Sequence, residues 1–240
     1  MVHKNYLLSL SLVFLAVFVA LGISPVDRSN WLLENILVVF FAVIIIWSYR
    51  KFPLSRVSYT LIFLFMVLHE IGSHYSYSKV PYDAFFINYF NFSLNELMGW
   101  ERNHFDRLVH FTFGLLIAYP VKELYSRIAN AEGFWGYFFP LELTMASSMI
   151  YELVEWGAAI VFGGDLGMAF LGTQGDIWDA HKDMALASVG ALIAMLVTLL
   201  INWQIQDDFR EEWSRSLSIK NNQPLGEDEI ARLMKTRGDD

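Results

Sequence analysis

Six long apolar stretches alternate with polar segments along the 240-residue chain. They lie at 5–24, 31–49, 56–75, 107–125, 137–162 and 184–205. A helix needs about 20 mostly apolar residues to cross a bilayer, and each stretch is close to that length. The last is uncharged from Met184 to Gln206, whereas the fifth carries three acids and should be shielded inside a bundle. The pattern predicts an all-α integral membrane protein, a bundle of about six transmembrane helices.

The first stretch has two interpretations. No charge lies between Asn5 and Val26, and this run is longer than the apolar core of a secretory signal. The sequence Ile23-Ser24-Pro25 is also a poor cleavage context. We interpret the stretch as a retained transmembrane helix, although an uncleaved signal anchor would have the same sequence.

Two connecting segments and the C-terminal tail differ from the stretches in composition. Residues 76–106 are rich in aromatic side chains, which suits a segment at the membrane interface. Residues 163–183 hold five glycines, which indicate tight turns. We predict a transmembrane domain over 1–205 whose functional loops are these two segments. A charged tail over 206–240 should follow, with short helices at about 208–218 and 227–236.

The basic residues predict the orientation of the bundle. Lys and Arg are enriched in cytoplasmic loops of membrane proteins. If the N-terminus is cytoplasmic, twelve of the 17 basic residues fall on the cytoplasmic side and five outside. Only the modestly basic loop 76–106 departs from the alternation. We therefore predict that both termini are cytoplasmic and that both functional loops lie outside.

Composition excludes several functional classes. The chain has no cysteine, so it has neither disulfides nor thiolate metal sites nor a cysteine nucleophile. Its net charge of −8 does not suit nucleic acid, which requires a basic face. Hydrophobic residues make up 55% of the chain, more than in an average soluble domain.

Ionisable residues collect at one end of the predicted bundle. Helix alternation brings the ends of stretches three and five and the starts of stretches four and six to one membrane face. An ionisable group at membrane depth costs roughly 2.5–3.5 kcal/mol on insertion scales, so several at one depth indicate a site, and a metal ion is the simplest reason to gather them. The candidate metal ligands are His69, His74, Asp106, His110, Glu155, Asp176, Asp179 and Asp183. The candidate catalytic residues are Glu70, Arg107 and Glu152.

Helical spacing supports some of these groupings. Asp106 and His110 are four residues apart, and Glu152 and Glu155 are three apart, so each pair shares a helix face. A helix cap or an interhelical hydrogen bond would explain any single pair. The whole set at one depth favours a shared site.

Known metal motifs fit this sequence only in part. A zincin helix needs histidines four residues apart around its glutamate. After His69 and Glu70, however, Ser73 takes the required place and His74 comes one residue late. Di-iron carboxylate bundles need two Glu-x-x-His motifs on helices, and this chain has one, in a predicted loop. Both chemistries are disfavoured.

The run Gly175, Asp179 and Asp183 resembles the second half of the signature of CDP-alcohol phosphotransferases, which are also metal-dependent membrane enzymes. The first half, an Asp-Gly followed by Ala-Arg, is missing from this chain. The likeness therefore serves only as an analogy.

Four longer strings, at 69–83, 102–114, 151–158 and 173–184, are similar to the YjdF-type bacterial inner-membrane proteins. The resemblance spans roughly residues 30–205. It implies a multi-pass protein of a bacterial inner membrane. The family has no assigned function and so implies no activity, but its strings contain the residues gathered by depth.

These residues favour a divalent-metal-dependent hydrolase or transferase that acts on a lipid or lipid-linked substrate. Mixed His and carboxylate ligands suit Zn, Mn or Fe, and carboxylates alone suit Mg or Ca. Glu152 or Glu70 would act as the base, and Arg107 would hold a phosphate. Membrane lipids are the expected partners, and the sequence leaves the oligomeric state open.

Two other functions fit the same residues. Intramembrane acids also mark the pathways of ion- or proton-coupled transporters. In that case Glu142, towards the opposite end of its stretch, would take part. A metal-stabilised scaffold without turnover is the third possibility.

Overall fold

The computed structural model describes residues 4–220 and 226–238, and every regular element within them is a helix. Six helices are long: α1 (Lys4–Gly22), α2 (Arg28–Ser48), α3 (Arg56–His74), α6 (Phe105–Ile128), α7 (Trp135–Phe162) and α9 (Asp179–Ile205). Five are short: α4 (Tyr82–Phe90), α5 (Leu94–Met98), α8 (Gly164–Leu171), α10 (Phe209–Ser216) and α11 (Glu227–Gly238). The predicted tail 206–240 therefore includes a few residues that lie outside the described part.

The long helices match the six apolar stretches, so the predicted fold class is confirmed. Five of them, α1, α2, α3, α7 and α9, are long and apolar enough to cross a membrane. Helix α6 has 24 residues, enough to span, but it carries a charged pair at its start and three charged residues towards its end. The charged pair at its start belongs to the site described below, and the three charged residues towards its end lie at the opposite end of the bundle.

Helices α6 and α9 form the closest contact in the bundle. A Cβ atom at Gly114 would lie 1.9 Å from the Ala187 carbonyl oxygen, and one at Gly190 would lie 2.1 Å from the Phe111 carbonyl oxygen. Helix α7 packs on both helices and closes a buried cluster that includes Ala118. Small residues allow such close approach of helices within a membrane.

The ends of four helices meet around the connecting loops. Helices α3 and α7 end, and α6 and α9 begin, at one end of the bundle, which we call the site end. The α1–α2 connection joins it, because the Val26 amide donates to the His74 carbonyl oxygen at 2.9 Å. Helix α2 begins there, with the Asp27 carboxylate accepting from the amides of Ser29 and Asn30.

The tail contains its two expected short helices, and the two loops contain three short helices that the sequence did not predict. Segment 76–106 holds α4 and α5, and segment 163–183 holds α8. Helix α10 docks at the other end of the bundle. There the Gly133 amide donates to the Glu212 carboxylate at 2.7 Å, and the Phe134 amide donates to the Ser216 hydroxyl at 3.0 Å.

One expectation about the fifth stretch needs correction. Glu152 and Glu155 are buried, but Glu142 is exposed. Glu142 lies ten residues before Glu152, which turns its side chain to a different face of α7. Only the two acids near the site end are shielded.

The α6–α9 contact generates a stability prediction. Gly190→Ala should lower the free energy of unfolding by about 1–3 kcal/mol, because the added methyl group would meet backbone on α6. Gly157→Ala on α7 is the matched control, since open space surrounds that position. It should be neutral or gain up to about 1 kcal/mol from helix propensity. Unfolding of the detergent-solubilised variants measures both, and equal effects would contradict the close contact.

Candidate metal centre

Three predicted ligands from two helices form a compact group at the site end. Asp106 and His110 lie in the first two turns of α6, and Asp183 lies in the second turn of α9. Each offers one ligand atom, and these atoms lie within 4.8 Å of one another. In the described residues no other group of three or more His, Asp or Glu side chains meets this test. We call these three residues the ligand trio.

Glu152 of α7 adds a carboxylate beside the trio. Its Oε1 atom lies 3.5 Å from His110 Nε2, and Asp106 Oδ1 lies 3.7 Å from the same nitrogen. Glu152 Oε1 and Asp183 Oδ1 are buried without a hydrogen-bond partner among the described residues. Carboxylates this close repel one another, so the arrangement favours a bound cation or shared protons.

Asp176 and Asp179, two other predicted ligands, are instead paired with basic residues. Arg107 donates to Asp176 Oδ2 at 2.5 Å and lies 3.6 Å from Asp179 Oδ1. Arg102 donates to Asp179 and to the Thr173 carbonyl oxygen. The structure therefore divides the predicted acids into a pair neutralised by arginines and the acids of the trio, of which Asp183 lies one turn beyond Asp179 on α9.

Hydrogen bonds to α9 and to the segment before α6 hold the loop before α9 in place. Lys182 donates to Asp176 at 2.6 Å, and this hydrogen bond holds the pKa of the Asp176 carboxyl well below its usual range. Gln174 exchanges two hydrogen bonds with the Asn103 backbone, at 3.1 and 2.9 Å. The segment before α6 and the segment before α9 are thus fastened together.

His104 forms the loop-side neighbour of Arg107. Arg107 Nη1 lies 3.2 Å from His104 Nδ1, and since guanidinium can only donate, that nitrogen accepts. The imidazole stacks on Trp100 with ring centroids 4.3 Å apart. Partial burial, and then the charges of Arg107 and Arg102, lower the pKa of His104 to about 4. His104 is therefore neutral at physiological pH.

The three predicted residues at the end of α3 have separate surroundings. His69 Nδ1 shares a 2.6 Å hydrogen bond with the Tyr77 hydroxyl. Glu70 is fully buried, and neither of its oxygens has a hydrogen-bond partner in the described part of the chain. His74 Nδ1 lies 2.6 Å from the Leu21 carbonyl oxygen, so His74 faces α1. The structure does not bring His74 to the trio.

Several polar residues near the site were missed by the sequence reasoning. Glu34 of α2 is 2% exposed and accepts a 3.1 Å hydrogen bond from the Tyr151 hydroxyl. It is the only acid in stretch 31–49, and that isolation in an apolar run was a usable signal. Arg102 and Tyr77 gave no comparable signal, because their partners lie on distant segments.

A cavity of about 310 Å³ adjoins the trio. Asp106 and His110 line it together with His69, Tyr77 and Tyr151. Its other lining residues are mostly apolar side chains of α2, α3, α6 and α7. The site thus consists of a small polar group that opens into an apolar space.

Comparison with known proteins places the chain in a family. The family described as "Predicted membrane protein (DUF2238)" matches residues 6–204. The chain belongs to this family. It is also 36% identical to the inner membrane protein YjdF of Escherichia coli strain K12 over 176 residues, which cover 73% of this chain and 80% of that relative. No solved structure matches it. The expected resemblance is confirmed: this is a multi-pass membrane protein related to an inner-membrane protein.

The buried ion pairs predict unequal effects of removing two basic residues. Arg102→Gln should destabilise the protein by about 3–5 kcal/mol, because Asp179, whose side chain is 4% exposed, would keep a buried charge without its main partner. Lys182→Gln should have little effect, since its side chain is 48% exposed. Unfolding of both variants in the same detergent is the measurement. A Lys182 variant as unstable as the Arg102 variant would contradict the assignment of Arg102 as the main partner of buried Asp179.

Proposed function

We propose that the protein is a divalent-metal-dependent membrane enzyme, a hydrolase or transferase that acts on a lipid or lipid-linked substrate. The observation that carries this proposal is the ligand trio beside Glu152, with His110 and Asp183 buried and Asp106 half-buried at the site end of a membrane bundle. Three protein ligands with a nearby carboxylate and an adjoining cavity are typical of metal sites that activate water.

The metal assignment follows from the donor types. Asp106, His110 and Asp183 would hold the ion, and one imidazole with two carboxylates suits Zn, Mn or Fe better than Mg or Ca. When bound, such an ion polarises a carbonyl or phosphoryl oxygen and lowers the pKa of its water. Asp176 and Asp179 are left out of the ligand set, because Arg102 and Arg107 already neutralise them.

The remaining side chains have supporting roles in this proposal. Glu152 is the base, since it lies within reach of a water molecule held by the trio. The ion pairs of Arg102 and Arg107 fix the first turn of α9 and so orient Asp183. A phosphate-binding role for Arg107 would compete with Asp176, its partner in this structure.

A lipid substrate is supported by the surroundings of the site. The trio lies on helices of the membrane bundle, and loop 76–106, which joins α3 to α6 at the site end, exposes large apolar side chains. These include Phe85, Tyr89, Phe90, Phe92 and Leu97. Aromatic side chains at this level are typical of a membrane interface. With both termini cytoplasmic, as the basic residues favour, the site would face outwards.

One observation favours an ion- or proton-coupled carrier as a second candidate. Glu34 and Glu70 extend the buried acids to α2 and α3, beyond what a single metal centre uses. Substrate flux into proteoliposomes that Glu34→Gln or Glu70→Gln abolishes would support the carrier, whereas Glu142→Gln, at an exposed acid, should not affect it. If the protein is a scaffold, removal of the trio would lower its thermal stability but would leave no lipid unprocessed.

Metal content tests the leading proposal. Detergent-purified protein should hold about one equivalent of a transition metal by elemental mass spectrometry, as expected for one three-ligand site. Asp106→Asn combined with Asp183→Asn should lose it, because both anionic ligands are removed. Asp165→Asn, at an exposed acid on α8, is the matched control and should retain the metal.

Lipid profiling of a deletion strain completes this test. A lipid that accumulates in the deletion strain should disappear on complementation with the wild type or the Asp165 variant. It should persist with the double variant. Metal bound equally by all three proteins, or a lipid profile restored by the double variant, would rule out the trio as the catalytic centre.

A further inference from the structure

We propose that the cavity beside the trio is an acyl-chain binding site that opens sideways to the bilayer between α2 and α7. The cavity lining, rather than the ligand trio, carries this inference. Binding of an acyl chain does not depend on the proposed function. Only the identification of that chain as part of the lipid substrate rests on the proposed function.

Two facing rows of apolar side chains, one on α2 and one on α7, form the opening of the cavity, and we call these rows the stripes. Phe40 and Phe41 line it from α2, and Ile150 and Val154 line it from α7. Each of these side chains is also about half exposed, at 55, 48, 55 and 49% respectively. They lie within helices that cross the membrane, so their exposed surface faces lipid tails. A lipid chain can therefore enter the cavity without passing through water.

The gap between the stripes follows from how α2 packs. Helix α2 packs chiefly on α3 and α8. It reaches α7 through the hydrogen bond from Tyr151 to Glu34. That bond crosses the opening, and the α2 stripe lies one to two turns further along the helix from Glu34. On α7, Ile150 and Val154 lie on opposite sides of Tyr151 along the helix, so apolar side chains flank this polar contact.

The interior of the cavity changes from polar to apolar with depth. His110 lies near the site end of α6, and Phe113 lies about one turn further from that end. Phe65 lies about one turn deeper than His69 on α3, and its ring meets the Phe113 ring edge-on with centroids 5.5 Å apart. The ester or headgroup end of an amphiphile would therefore face Asp106 and His110, with its chain directed inwards.

The volume and lining suit one hydrocarbon chain. A volume of about 310 Å³ is at the lower end of the range for ligand pockets, roughly 300–1,000 Å³. In the apolar half, Ser147 already donates to the Leu143 carbonyl oxygen, and Ser148 offers one buried hydroxyl without a partner in the described part of the chain. A peptide or sugar would leave most of its polar groups unpaired there, whereas an acyl chain has none.

Photo-labelling in proteoliposomes tests the acyl-chain site. The probe is a phosphatidylethanolamine with a diazirine in one acyl chain, and peptide mass spectrometry maps the labelled residues. Label should appear on Met66 and Phe113, which line the cavity but are not exposed like Phe40 or Ile150. Ile150→Trp should reduce this interior label several-fold by narrowing the opening. Phe40→Trp is a second variant at the opposite wall.

Val161→Trp is the matched control, because Val161 is a lipid-facing residue of α7 that lies outside the cavity lining. It should leave the interior label unchanged. Label confined to lipid-facing side chains, or interior label insensitive to both wall variants, would overturn the proposal. Labelling is done in EDTA and needs no turnover. A failed metal site would therefore leave the interior label intact, and a failed acyl site would leave metal binding intact.

Discussion

The close contact between α6 and α9 is the constraint on which the site depends. Gly114 lies one turn after His110, and Ala187 lies one turn after Asp183, so the point of closest approach is directly below the trio. Backbones that touch at this point hold the register of the two helices within a fraction of a turn. The ligand atoms of Asp106, His110 and Asp183 can lie within 4.8 Å of one another only because the side chains above this contact start from such close backbones.

Charge pairing explains why the acids of the site end form two groups. Asp176 and Asp179 lie at loop level, where Arg102 and Arg107 can reach them, and these pairs offset the cost of burying their charges. Among the described residues, neither the acids of the trio nor Glu152 form an ion pair with an arginine or a lysine, and Arg102 and Arg107 act on Asp106 only from a longer distance. Negative charge is therefore least compensated where a cation would bind.

The looser packing of α2 contrasts with the rigid α6–α9 pair. One side of the site is fixed by backbone contact, and the other is closed by a single helix that packs chiefly on α3 and α8. This asymmetry is consistent with the proposed enzyme, in which the ligand trio would stay in place while an acyl chain enters from the membrane. It also gives Glu34 and Tyr151 a structural role, since their hydrogen bond connects the loose helix to α7.

The sequence alone determined the six long helices and the end of the bundle at which the acids meet. Both depend on local quantities, namely the length of an apolar run and the alternation of spans. The sequence also predicted the Asp106–His110 pair, because four-residue spacing puts both on one helix face. It did not separate the trio from the arginine-bound acids, or His74 from the site, because those outcomes depend on contacts between distant segments. Arg102 meets Asp179 across 77 residues, and Glu34 meets Tyr151 across 117. Only the tertiary structure sets such distances, because helix rotation and register depend on how small residues let particular helices approach.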